Sequence, residues 1–406
     1  MGKRKILILT ERFFPEEFLI NDLAAEWKKR GWNIEVLTQV PSYPHDRVFD
    51  GYCNRWFQTT REYRDIPVHR VKTLTGYNRS VIRKIVNYLN FALLTSLWSL
   101  FDGWRYQQIF IYHTGPLTMA VAGVVLHYIC RKPCMIWTQD VWPDTVYAYG
   151  FKPCWWKRLL LDNFVRLIYS ACGTIGVSSP GFIEKLRPYT DKEIHFIPQW
   201  TTQRLAMASK AVSGKRIFTF AGNIGSVQNL EMVVEAFGSL KNEEAELRLV
   251  GGGVFLERLQ KLVQAKQYRN IVFTGRLPQE KMPEVFAQSD VMIISLKREF
   301  AMTLPAKFQA YIAAGKPIFG IITGDTAELI EQYELGMIAL PEFESIRSGF
   351  QTLMQQSSRQ LEVWGNNARN TSKRLFDRAN IVGIMSCLCG MEEYDHSIEH
   401  SPKYTV

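Results

Sequence analysis

At 406 residues, with 47% hydrophobic and 22% charged side chains, the chain is globular and not disordered, and it is too long for one ordinary core; two domains are expected. The net charge of +10 is concentrated early, because residues 1–200 hold 26 Lys and Arg against 17 Asp and Glu while the remainder holds 23 against 22. That asymmetry suits a basic amino-terminal half facing an anionic membrane surface, with an ordinary basic surface as the plainer alternative. Nucleic acid is not expected as a partner, since zinc-finger spacing and single-strand-binding motifs are missing. Seven scattered cysteines form neither paired metal spacing nor a disulfide framework, which suits reduced thiols in a cytoplasmic protein.

Strand and helix signals alternate from the start. The run at 6–10 (ILILT) is a first strand and not part of a signal peptide, because Glu11 and Arg12 follow it at once. A helix around 22–30 closed by Gly31 leads to a strand at 34–38, and strands at 109–113, 134–139 and 173–178 continue the pattern. Residues 85–101 carry no charge, but at that length, with two Asn, they predict a helix partly in the core and partly docked on a membrane, not a crossing. A cluster of basic and aromatic residues at 152–160 (KPCWWKRLL) adds to that face. Residues 196–215 read as a hinge, and a second strand–helix series follows with strand-bearing runs at 216–225, 247–253, 270–278, 290–296 and 317–322. Such an order builds parallel sheets with sites at the carboxyl ends of the strands.

One segment of the second series carries chemistry. After the strand near 291–296, residues 298–317 (REFAMTLPAKFQAYIAAGKP) read as a loop entering a helix, with Pro305 as a first-turn proline and Lys307 in the first turn. A helix start offers unpaired amides and a positive dipole end, so Lys307 and Arg298 form a candidate cradle for a diphosphate; the alternative is a solvated lysine. Gly222, Asn223 and Gly225 follow a buried strand, where small residues let backbone approach a phosphate, although a plain turn would look the same. Gly251 to Gly253 lack the spacing of a dinucleotide fingerprint. No Asp-x-Asp occurs, and no metal site is expected.

Four stretches in order, beginning ILILTERFFPEEF, WTQDVWPDTVYAYG, FAGNIGSVQNLEMVVEAF and LPAKFQAYIAAGKP, resemble glycosyltransferase family 4, in particular the colanic-acid, capsule and O-antigen subgroup. The resemblance spans about residues 5–385 and implies the GT-B fold: α/β, two doubly wound Rossmann-like domains facing each other across a cleft. Residues 1–200 would be the acceptor- and membrane-facing domain, 201–375 the nucleotide-sugar-binding domain, and 376–406 a helix with a polar tail. The implied activity is retaining transfer from a nucleotide-diphosphate sugar, UDP first among the bases, to a polyprenyl-diphosphate-linked saccharide at the inner face of the cytoplasmic membrane. The nucleotide sugar is a substrate, and no cofactor is implied.

The resemblance also distributes roles. Arg298 and Lys307, with the backbone of Thr303 and Leu304, would hold the leaving diphosphate, and Arg276 and Leu277 after Gly275 would meet the base. Asp140 would face the acceptor hydroxyl or the anomeric carbon, with Asp144 as runner-up and a helix N-cap as its plainer reading. His113 would orient the acceptor or a leaving oxygen, unless it is a satisfied structural histidine; Glu16 and Asn21 flank the acceptor loop. The chain departs from the family pattern at Met302 and Ala310, where many members have a glutamate pair that includes the ribose ligand, leaving Gln309 or Glu328 as weak substitutes. Asn223 and Gln228 stand where an Arg and a Lys are usual. Two other readings are a nucleotide-sugar epimerase and a catalytically impaired binding subunit.

Overall fold

The structure, a computed structural model, describes residues 4–148, 154–200 and 214–391. Most of the expected hinge, nearly all of the polar tail and the first residues of the basic aromatic cluster lie outside the described residues. The chain divides into two units, Met1–Pro198 with Ala379–Val406, and Gln199–Arg378.

Unit 1 is built on an eight-stranded sheet: β1 Lys5–Thr10, β2 Asn33–Gln39, β3 Phe57–Tyr63, β4 Ile66–Val71, β5 Gln108–His113, β6 Cys134–Thr138, β7 Thr174–Val177 and β8 Ile194–Phe196, in the order β3-β4-β2-β1-β5-β6-β7-β8. All pairs are parallel except β3 with β4. The central strands are continuous apolar runs because helices cover both faces, and Ile8 lies opposite both Val36 and Phe110. The helix Leu19–Lys29 buries Ile20, Leu23, Ala24 and Trp27, a spacing that puts all four on one face, and the chain leaves it through Gly31 at φ 79°.

The β3–β4 hairpin is an element the sequence pattern did not announce. Its turn residues, Arg64 and Asp65, both adopt positive φ (51° and 55°), the geometry of a tight hairpin turn without the usual Asn-Gly or Asp-Gly signal. The helix Arg378–Leu388 buries Ile381, Val382 and Met385 in unit 1, where Trp27 Nε1 donates to Ser386 Oγ at 3.0 Å.

Unit 2 has six parallel strands: β9 Arg216–Ala221, β10 Ala245–Val250, β11 Ile271–Gly275, β12 Val291–Ser295, β13 Ile318–Ile321 and β14 Gly336–Ala339, in the order β11-β10-β9-β12-β13-β14. Phe218, Phe237, Phe319 and Phe350 form an edge-to-face cluster with centroids 4.9–5.8 Å apart at the heart of its core. In each sheet the winding direction reverses beside the first strand, between β1 and β5 in unit 1 and between β9 and β12 in unit 2. A doubly wound sheet opens a crevice outside the carboxyl ends of its strands at such a point.

The opposite edge of unit 1 carries a buried ionic group. Glu35 takes Lys5 Nζ at 2.6 Å, His69 Nε2 at 2.8 Å and the Tyr106 hydroxyl. Burial pushes its carboxyl up, but the bonds from His69, Lys5 and Tyr106 outweigh burial and hold it well below the usual range. A carboxylate so depressed stabilises the fold above its ordinary value of 4.5, and the contribution is lost as pH falls below that. Glu35→Gln is therefore expected to cost about 1–3 kcal/mol at neutral pH, with the deficit shrinking below about pH 4.5, as read from denaturant midpoints across pH.

Candidate functional site

In unit 2, β9 ends at Ala221 and the next residue, Gly222, has φ 147°. A Cβ there would sit 3.4 Å from Lys307 Nζ. The neighbouring loop after β10 approaches so closely that a Cβ on Gly251 would lie 1.9 Å from the Gly222 carbonyl, and one on Gly253 2.3 Å from that of Ile224. Gly251 and Gly253 are thus required by backbone contact, and the loops are laced by Gly222 N–H to Val250 O and Ile224 N–H to Gly252 O, each 2.9 Å.

These loops and the start of the helix Ala306–Ala313 enclose a pocket of about 440 Å³. Among the expected donor-binding residues it brings together Gly222, Asn223, Arg276, Leu277 and Lys307. Sequence reasoning missed Gly251 and Gly252, set aside as a failed fingerprint, and also Met282, Phe286 and Tyr311, which form a wall with Ala310. The Tyr311 phenol accepts from Ala221 N–H and donates to Ala221 O, both at 2.9 Å, and so fastens the helix to the end of β9.

Lys307 is the unusual group. Its Nζ is buried over the Phe220 ring, 3.9 Å from the centroid, and has no hydrogen-bond partner among the described residues. Burial lowers its pKa from 10.5 to about 7. Beside it lie the first-turn amides of Ala306 and Lys307, which a helix leaves without internal partners. The arrangement draws in an anion, because negative charge would compensate the ammonium, the amides and the helix dipole together.

Other expected donor residues lie elsewhere. Arg298 is exposed and pairs with Glu342 at 2.6 Å, outside the pocket lining; the corrected cradle is Lys307 with backbone, not a pair of cations. Gln228 and Gly225 serve their own loop, Gln228 Oε1 accepting from Gly225 N–H at 3.0 Å. The Thr303 carbonyl accepts from Thr326 Oγ1 at 3.2 Å, and Leu304 is a buried apolar side chain. Pro305 is extended at the N-cap, one residue before the position expected for it.

In unit 1, β1, β5 and β6 are adjacent, and their carboxyl ends carry Glu11, His113 and Asp140. His113 Nε2 lies 2.9 Å from Gly115 O and so must donate, leaving Nδ1 a buried acceptor without a partner among the described residues. Burial lowers its pKa to about 4 and that bond raises it only in part, so the ring is neutral at pH 7. Burial also pushes the Asp140 carboxyl up to about 6. Asp140 precedes the helix Asp144–Ala148 by four residues and does not take an N-cap position on it.

The remaining acceptor-side candidates brace structure. Glu16 Oε1 accepts from the Ser42 and Tyr43 amides (2.9 and 2.7 Å) and from Arg12 at 3.3 Å, and Arg12 also reaches Glu11 at 3.1 Å. Asn21 ties the same loop, accepting from Phe14 N–H and donating to Glu16 O. Asp144 pairs with Lys185 at 2.9 Å. The Glu11–Arg12 pair was overlooked in the sequence, although an acid and a base directly after a first strand were visible there.

The apolar segment is the helix Val81–Asp102. Phe91, Leu94 and Trp98 are buried, while Ile82, Leu89, Leu93 and Phe101 are exposed on the other side. The helices Val121–Tyr128 and Trp155–Ser170 pack beside it in turn, and Trp155 (80% exposed) and Leu160 extend the apolar surface, with Lys157 and Arg158 beside them. Among the described residues no helix is long and apolar enough to cross a membrane.

A doubly wound unit with an anion-seeking pocket at its switch point belongs to the α/β class that binds ligands outside the carboxyl ends of its strands. Comparison makes the class narrower. Residues 203–371 match the family model for glycosyl transferases group 1. Among curated proteins, the chain is 24% identical over 405 residues to the putative colanic acid biosynthesis glycosyl transferase WcaI of Escherichia coli (strain K12), covering 93% of this chain and 98% of WcaI. It is 23% identical over 239 residues to the probable glycosyltransferase WbjE of Pseudomonas aeruginosa, covering 55% of this chain and 60% of WbjE. Among solved structures, HepE of Anabaena in complex with UDP superposes with a TM-score of 0.68 at 14% identity, covering 96% of this chain and 100% of HepE. The chain is a glycosyltransferase of the GT-B fold, with a group 1 glycosyl transferase domain at residues 203–371.

Lys307 can be tested without any ligand. Its ordinary value is 10.5 and its folded value about 7, so between them the unfolded chain binds more protons and stability rises with pH. Lys307→Met should remove that slope and raise stability at pH 7 by about 1–4 kcal/mol, with a smaller gain near pH 9, measured by denaturant unfolding at both pH values.

Proposed function

We propose that the chain transfers a sugar, with retention of anomeric configuration, from a nucleoside diphosphate sugar to a lipid-linked saccharide in surface polysaccharide assembly. The observation that carries this reading is the buried Lys307 ammonium, unpartnered among the described residues and lying with glycine backbone and first-turn amides in one pocket. UDP is the preferred nucleotide, supported by its presence in the related fold of HepE, and polysaccharide assembly is supported by the similarity to WcaI. The nucleotide sugar is the substrate, and no further cofactor enters the reading. The epimerase and the impaired binding subunit are not favoured: the family match is to transferases, and the pocket keeps its cation.

In this reading the departing diphosphate gathers negative charge against Lys307 and the helix-start amides, which lowers the barrier to its release. Asp140 accepts the hydrogen bond of the attacking hydroxyl, its raised pKa matching a group that must take a proton near neutral pH. Neutral His113 offers Nδ1 as a second acceptor.

Titration calorimetry with UDP and with GDP tests the donor half. Binding of at least one is expected, with affinity falling from about pH 7 to 9 as Lys307 must gain a proton, and with a loss of about 10–100-fold in Lys307→Met. Binding of neither nucleotide at any pH would sink the proposal. For the acceptor half, Asp140→Asn is expected to lower kcat by about 10²–10⁴-fold while UDP affinity stays unchanged; a variant with full turnover removes Asp140 from the reaction.

The apolar stripe of Val81–Asp102 and the Trp155–Leu160 surface, rimmed by Arg83, Lys84, Lys157 and Arg158, suit a peripheral seat on the inner face of the cytoplasmic membrane. Co-sedimentation with phosphatidylglycerol vesicles checks this. Leu93→Glu combined with Trp155→Glu should release the protein, whereas retention of both binding and salt sensitivity would remove the surface from that role.

A further inference from the structure

The pocket of unit 2 is lopsided in a way that bears on the pentose of its ligand. One side presents donors and positive charge: Arg276, the Lys307 ammonium and the helix-start amides. The other side, made by Met282, Phe286 and Ala310, presents carbon. Tyr311 belongs to that wall too, but its phenolic proton goes to Ala221 O and its oxygen already accepts from Ala221 N–H.

Ala310 lies three residues beyond Lys307 on the same helix face, about 5–6 Å away between Cβ atoms. With a phosphate held at Lys307, that interval carries the ligand to the pentose esterified to it. A ribose diol brings two O–H donors, and pockets that insist on ribose meet them with a carboxylate. Here the ligand meets the Ala310 methyl group.

Neighbouring polar residues do not substitute. The Gln309 side chain is buried, with its amide nitrogen toward the carbonyls of Pro305 (2.8 Å) and Ala306 (2.9 Å). Glu328 is exposed on the helix Asp325–Gln332 and is not part of the lining. Among the described residues the lining contains no carboxylate.

We infer that this pocket accepts 2′-deoxyribonucleoside diphosphates and their sugars as readily as the ribonucleoside forms, with Ala310 as the residue that sets this tolerance. The inference rests on the pocket being the nucleotide-sugar site proposed above. Its physical basis is asymmetric: a site built to bond a hydroxyl rejects the analogue lacking it by about 10⁴–10⁵-fold, but a carbon wall has no bond to lose when the hydroxyl is removed.

The test is titration calorimetry of the full chain at pH 7 with two pairs, UDP against 2′-deoxy-UDP and GDP against 2′-deoxy-GDP, so that the identity of the base does not decide the outcome. Within whichever pair binds, dissociation constants within about threefold of each other are expected. A preference for the ribose form of about tenfold or more overturns the inference and leaves the donor-site reading intact. Failure of all four to bind takes both down. Ala310→Glu is expected to introduce a preference for the ribose form; an unchanged ratio in a variant that still binds overturns the assignment of the pentose to this wall. The wild-type comparison decides on its own if that variant does not fold.

Discussion

An ammonium buried without a partner among the described residues is the constraint on which unit 2 depends. Lys307 rests on the face of Phe220, which offsets only part of what the side chain loses on leaving water. Its neighbours fix it there. Tyr311, one turn further along the helix, clamps to the end of β9 through Ala221, and Gly222 leaves the space that a side chain would have taken from the amine. The close loops of Gly222 to Ile224 and Gly251 to Gly253 then form a floor of backbone, so the pocket sets the buried Lys307 ammonium, with Arg276 also in the lining, among neutral dipoles.

Unit 1 solves the opposite problem. Its charges are paired: Arg12 joins Glu11 to Glu16, and Glu16 fixes the loop at Ser42 and Tyr43. At the ends of β5 and β6 burial instead moves His113 and Asp140 toward their neutral forms. A neutral imidazole acceptor and a carboxyl poised near pH 6 are suited to protons and weakly charged groups, where the unit 2 pocket is suited to anions. The difference follows from environment, since all three groups occupy carboxyl-end positions of parallel sheets.

Much of this was legible in the sequence, and the reasons for the rest are physical. Apolar runs alternating with helical periodicity announced both sheets, because strands buried on both faces have no polar alternation to confuse the pattern. Lys307, Gly222, Asn223, Arg276 and Leu277 were found because each directly follows a strand or opens a helix. Arg298 was misassigned because its partner, Glu342, lies 44 residues away and local spacing carries no trace of it. Arg64 and Asp65 hid a hairpin since positive φ in non-glycine residues is decided by the flanking strands and not by propensity. Gly251 to Gly253 were judged against a motif, whereas their real constraint is the carbonyl of a neighbouring loop.

The titration of Lys307 bears on catalysis as well as on binding. A permanently charged lysine holds substrate and product phosphates about equally, and uniform binding of that kind lowers the ground state along with the transition state. Lys307, its pKa lowered to about 7 by burial, differs in that its charge is completed only when a diphosphate binds beside it. On the proposed reaction the negative charge beside it is greatest as the glycosidic oxygen departs with the diphosphate. The same burial that destabilises the empty fold strengthens the ammonium's interaction with the charge that develops there.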